Sequence, residues 1–104
     1  MNIVRLDGIL LSKILQNGLY NLKAHENEIN KLNVFPVADG DTGTNMRLTL
    51  ENGIKSSPST PEVGKYLCSL SNGMLLGARG NSGVILSQLF KGIYLELNMM
   101  PRKV

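Results

Sequence analysis

The sequence contains no tryptophan, only three tyrosines and two phenylalanines, and its 11 Lys and Arg residues stand singly apart from Arg102-Lys103. With so few rings and no basic run between them there is little from which to build a stacking platform for bases, so no nucleic-acid partner is expected. Cysteine occurs once, at Cys68, which excludes an intramolecular disulfide; its apolar neighbourhood reads as a buried, inert thiol in a reducing compartment. No apolar run approaches the roughly 18 residues that a membrane span needs, and the N-terminus lacks the basic, apolar, small-residue order of a signal peptide. A cytoplasmic chain without a membrane span is expected. No segment sustains two-residue alternation, which argues against a sheet. At 104 residues the chain has room for one hydrophobic core and not for two.

What is present is the composition of an ordinary folding chain, 42% hydrophobic and 18% charged, with a net charge of +3 whose scatter mildly favours anionic ligands such as nucleotides. The fold class is all-α. Leu6, Ile9, Leu10, Ile14, Leu22 and Ile29 recur at helical spacing and predict one long helix from about Asp7 to Asn30, weakest at Gly18. Asp41 or Thr42 caps a second helix through Met46, Leu50 and Ile54, which Ser56-Ser-Pro-Ser-Thr-Pro61 stops. Ser59-x-x-Glu62 has the form of a capping box for a third, running through Val63, Leu67, Leu70 and Met74 to Gly77. Asn81 or Ser82 caps a fourth, through Leu86, Leu89, Phe90, Ile93 and Leu97.

Two loops break this helical pattern. In Asp39-Gly-Asp-Thr-Gly-Thr-Asn45 two carboxylates lie two residues apart, a spacing that favours a hard cation such as magnesium between them, and the helix N-terminus that follows favours a phosphate. The other reading is a polar turn with Asp41 as an N-cap. An EF-hand is excluded, because Gly43, Thr44 and Leu50 stand where its pattern needs an oxygen ligand, a glycine and a glutamate. Gly77-Ala-Arg-Gly-Asn-Ser-Gly83 also precedes a helix and can cradle an anion with backbone N–H groups, or simply cap the two helices it joins. It lacks the Lys-Ser/Thr pair of a Walker loop. Arg79, its one charged side chain, either is solvated or neutralises a phosphate, and His25 reads as a solvated helical residue.

The strings Leu32-Asn-Val-Phe-Pro-Val-Ala-Asp-Gly-Asp-Thr-Gly-Thr-Asn-Met46 and Gly77-Ala-Arg-Gly-Asn-Ser-Gly-Val-Ile-Leu-Ser-Gln88, in this order and at this separation, resemble the dihydroxyacetone kinase L-domain family, over roughly Leu6 to Gly92. The resemblance implies part of an antiparallel helical barrel, about four of eight helices, with ATP held at one end by a pair of magnesium ions. It implies Asp39 and Asp41 as catalytic and metal-binding residues, with Asn33 near a further metal position. Thr42, Gly43, Thr44 and Asn45 would meet the phosphates from the first loop and Gly80, Asn81 and Ser82 from the second. Catalysis would then be positioning and charge neutralisation.

The branch that the string Asn33-Val-Phe-Pro-Val37 resembles is the ATP-binding N-terminal domain of bacterial fatty acid kinase, in which the acceptor is a fatty acid presented by a binding protein. Ala38 stands where that branch usually has proline. In the dihydroxyacetone branch a separate K subunit holds the acceptor. Residues 1–104 correspond to the N-terminal portion of such a domain, so exposed apolar helix faces and association with itself or another chain are expected. A regulatory module that binds metal-nucleotide without transferring phosphate is the rival from another class.

Overall fold

The computed structural model describes residues 6–32 and 40–99. They form five α-helices: α1 (Gly8–Ala24), α2 (Glu26–Leu32), α3 (Thr42–Lys55), α4 (Val63–Leu76) and α5 (Gly80–Met99). Among the described residues there is no strand, and no helix is long and apolar enough to cross a membrane. The all-α reading therefore holds, with one helix more than the periodicity suggested.

The extra helix arises at His25, where the backbone leaves helical geometry (φ −112°, ψ 10°) and the single helix expected from Asp7 to Asn30 becomes two. Neither glycine nor proline makes this break. Gly18 stays helical, and the turn at His25 instead lets Glu26 and Asn30 reach α3. His25 is exposed, and its ring Nδ1 lies 2.9 Å from the Asn21 carbonyl. At the start of α1, Asp7 is a conventional N-cap, its carboxylate accepting from the Leu10 N–H at 2.8 Å.

Two capping expectations change. The Ser59–Glu62 capping box does not form: Glu62 itself occupies the N-cap position of α4 without a side-chain bond, and its N–H donates to Thr60 Oγ1. Likewise α5 opens at Gly80, ahead of Asn81 and Ser82, because Gly80 adopts φ +65° and completes the turn itself. Both loops end where expected on their other sides, with Gly77 the C-cap of α4 and Ser56 that of α3.

The core is Leu50 of α3 with Tyr66, Leu67, Leu70 and Met74 of α4. Leu11, Leu15, Leu19 and Leu22 cover it from α1, and Leu86, Phe90, Tyr94 and Leu97 from α5, each set at three- and four-residue spacing. Ile9, Ile14, Leu89 and Ile93, which share the same periodicity, lie instead on the solvent side. On α5 these form a run, Ile85, Leu89 and Ile93, 69%, 59% and 44% exposed, beside a shallow apolar groove along Gly92 and Leu97. At the centre α3 and α4 meet almost backbone to backbone: a Cβ on Gly73 would lie 3.2 Å from Gly53 Cα and 2.7 Å from Ser56 Cβ. Glycines there set a short interaxial distance, which brings Leu50 and Leu70 into one layer.

Leu70 is fully buried at this crossing. Leu70→Ala removes its transfer energy and leaves a cavity between two closely apposed helices that collapse poorly, so a loss of about 2–5 kcal/mol is expected in denaturant melts. A loss below about 1 kcal/mol would place the core elsewhere.

Candidate functional site

The two loops singled out in the sequence come together because the N-terminus of α3 packs against that of α5. Gly40 (φ +69°) turns the chain into Asp41, which holds the N-cap position of α3 while its exposed carboxylate makes no capping bond. The Asn45 N–H returns to the Asp41 carbonyl at 2.8 Å, and among the described residues the Thr42 and Gly43 amides have no acceptor. In α5 the first intrahelical bond is Gly83 N–H to the Arg79 carbonyl at 3.1 Å, which leaves the amides of Gly80, Asn81 and Ser82 without an acceptor among the described residues. Neither helix carries an acidic residue in its first turn. Two sets of N–H groups without acceptors among the described residues, and two positive dipole ends, therefore lie side by side, an arrangement suited to an anion with several oxygens.

Three contacts hold them there. Gly80 lies so close to the Asn45 carboxamide that a side chain on it would collide with Nδ2, so both its left-handed backbone and its lack of a Cβ are used. Ser82 Oγ donates to the Thr42 carbonyl at 3.4 Å, a long bond. Behind them the fully buried Thr49 hydroxyl accepts from the Arg79 N–H at 3.0 Å and donates to the Asn45 carbonyl at 2.7 Å.

Of the residues expected to form the site, Asp41, Thr42, Gly43, Asn45, Gly80 and Ser82 thus lie on the two apposed termini, and Asn81 lies exposed in the first turn of α5. Asn33 and Asp39 fall outside the described residues. Thr44 turns the other way: its N–H donates to Asn30 Oδ1 at 3.1 Å, and its hydroxyl accepts from Asn30 Nδ2 and donates to Glu26 Oε2 at 2.7 Å. Gly43 is buried under α2, where a Cβ would come 2.7 Å from the Glu26 carbonyl, while its own amide points to the free end of the helix. Arg79 is exposed, and no carboxylate among the described residues pairs with it.

Polyphosphate fits these residues on the strength of the free amides. Among the described residues no three His, Cys, Asp or Glu side chains gather as a metal cluster. The cation-binding group they offer is the unbonded Asp41 carboxylate, an oxygen donor of the kind magnesium takes.

Sequence reasoning passed over Glu26, Asn30, Arg47 and Thr49. Glu26 accepts from both Thr44 and Arg47 Nε, and Glu51 pairs with Lys23 at 3.1 Å, with Lys55 at 3.4 Å and with Arg47 at 3.7 Å. These bonds hold the α1–α2 corner against α3 and so fix the direction in which the α3 N-terminus points. A hydrogen bond from Thr44, then one from Arg47, hold the Glu26 carboxyl below the usual carboxylate range; a hydrogen bond from Lys23 does the same for Glu51.

A family model described as DAK2 domain matches residues 36–102, which takes in both loops. Protein YloV of Bacillus subtilis (strain 168) is 49% identical over 94 residues, covering 88% of this chain. An uncharacterised protein of Staphylococcus saprophyticus is 46% identical over 95 residues and covers 89%, and one of Staphylococcus haemolyticus is 47% identical over 95 residues and covers 86%. The chain spans 17% of the length of each of these relatives.

Because the Glu26 pKa is depressed in the fold, its contribution is fully present above the ordinary carboxylate pKa and is lost as pH falls through that value and on through the lower folded one. Glu26→Gln should lower stability at neutral pH by about 1 kcal/mol and flatten the acid side of the stability profile. A parallel downward shift at every pH would show that the carboxylate does not titrate against Thr44 and Arg47.

Proposed function

Because the chain belongs to the DAK2 domain family, a kinase-type family, we propose that it binds magnesium ATP at the junction of α3 and α5 and forms the phosphate-holding part of a phosphotransferase. The observation that carries this reading is the apposition of two helix N-termini whose first amides have no acceptor among the described residues and whose first turns hold no acid. One such terminus is common in proteins; two locked together at fixed spacing suit a di- or triphosphate, whose oxygens occupy both at once.

In this reading the amides of Thr42 and Gly43 hold one phosphoryl group and those of Gly80, Asn81 and Ser82 the next, with the Asn45 carboxamide between them. Asp41 and Asp39 are the catalytic carboxylates and metal ligands, and Asn33 is a further candidate ligand. Magnesium, when bound, supplies neutralisation of charge on the phosphoryl oxygens. Thr44 acts indirectly, because both its polar groups tie α3 to Glu26 and Asn30. The protein's contribution is preorganised dipoles at fixed positions, which cost no reorganisation when the phosphoryl group moves.

The finer reading is transfer of the γ-phosphoryl group to the carboxylate of a fatty acid presented by a partner protein: a carboxylate oxygen attacks phosphorus, the bond to the bridging oxygen breaks, and ADP and an acyl phosphate leave. The Asn33-Val-Phe-Pro-Val37 string supports this acceptor over dihydroxyacetone held by a K subunit.

Titration of ATP into the purified chain by calorimetry is expected to give magnesium-dependent binding that Asp41→Asn weakens by about tenfold or more, the scale of one lost charge-assisted contact. A folded chain that takes no ATP with magnesium present refutes the site. With a fatty-acid-loaded partner, hydroxylamine should trap an acyl hydroxamate; dihydroxyacetone phosphate formed with a K subunit would assign the other acceptor.

A further inference from the structure

Building on the nucleotide reading above, we infer that Thr49 is a positioning residue that sets the spacing between the two phosphate-binding loops. Its side chain is fully buried, lies behind the junction and touches no surface that a ligand can reach. Yet its single hydroxyl bonds to both loops at once. The Oγ1 proton goes to the Asn45 carbonyl in the first turn of α3, and the Oγ1 lone pair receives the backbone N–H of Arg79, the residue before Gly80. Gly83 closes on the same atom, since a Cβ there would collide with Thr49 Oγ1.

A hydroxyl suits this position for a specific reason. The two groups it joins are a carbonyl and an N–H that lie too far apart on separate elements to meet each other, and only a side chain that donates and accepts through one atom bridges them. Valine has the same shape but leaves the Arg79 amide without the acceptor it has in the fold, while the Asn45 carbonyl keeps its helical bond from the backbone N–H of residue 49, and the Arg79 backbone then has reason to move. Such a movement displaces Gly80 from Asn45 and changes the distance between the amides of residues 42–43 and those of 80–82. A ligand that spans both sets feels this change; one that occupies a single set feels little of it. The effect is therefore on recognition of consecutive phosphates and not on anion binding in general.

The test compares magnesium ATP with AMP, by calorimetry, on the wild-type chain, Thr49→Val, Thr49→Ser and Gly83→Ala, each with a thermal melt to show that it is folded. Thr49→Val should weaken ATP by about tenfold or more while AMP changes by less than about threefold, and Thr49→Ser, which keeps both bonds, should stay within about threefold of wild type for both. Gly83→Ala, which pushes the hydroxyl aside without altering residue 49, should reproduce the ATP-selective loss and decides the matter if Thr49→Val does not fold. Equal losses for ATP and AMP, or undiminished ATP affinity in a folded Thr49→Val or Gly83→Ala chain, overturn the inference while leaving the nucleotide site intact. A wild-type chain that fails to bind ATP removes the nucleotide reading itself and this inference with it.

Discussion

Every other helix among the described residues touches α3, and α3 is thin where α2, α4 and the start of α5 meet it. Gly43 faces α2, Gly53 faces α4, and the small Thr49 faces the chain between Arg79 and Gly83. A larger side chain at any of these places would push a neighbour out of its present position, and close-packed interiors absorb such a change poorly. The apolar core follows from this. Leu50 shares one cluster with Leu70 and Met74 where the backbones are already near, and the leucines of α1 and α5 pack against it.

The helical character of the chain and the places where α3 and α4 stop were legible because they rest on local features: four-residue apolar spacing, the Ser/Pro run at 56–61, and Gly77. The break at His25 was not, since no helix-breaking residue causes it. It is stabilised by contacts from Glu26 and Asn30 to Thr44, 18 and 14 residues away. The apolar positions of α1 and α5 were visible, but periodicity alone did not say which of two neighbouring stripes would face inward; Ile9, Ile14, Leu89 and Ile93 face out. The caps of α4 and α5 differ from the expected ones because a glutamate without a capping bond, three residues after Ser59, and a glycine with positive φ, just before Asn81, take the place of the expected side chains.

Much the same division runs through the candidate site. Residues at the loop tips, Asp41 to Asn45 and Gly80 to Ser82, carry a residue pattern that can be read directly. The residues that bring the two tips together do not. Thr49 is an unremarked threonine in the middle of a helix, and its partner Arg79 is 30 residues away. Glu26 and Arg47 look like ordinary surface charges until their pairing is seen. Groups that shape a site from behind leave little signature in a single sequence, because their chemistry is generic and only their placement is particular.

The two ends of the corner at His25 are held to α3 by charges of opposite sign: Lys23 to Glu51 on one side, Glu26 to Arg47 on the other. The corner is thus an electrostatic joint on a hydrophobic body, and the two respond to different variables. Dissolved salt screens partly exposed charge pairs and leaves apolar contacts between α3, α4 and α5 untouched or slightly strengthened. Rising ionic strength therefore weakens this joint before it touches the packing of α3, α4 and α5, while the neutral Asn30–Thr44 bonds and the close seat of Gly43 under α2 are unscreened. Thr44 is thus held by one ionic and one neutral partner on α2, Glu26 and Asn30, and only the first of these answers to the salt around it.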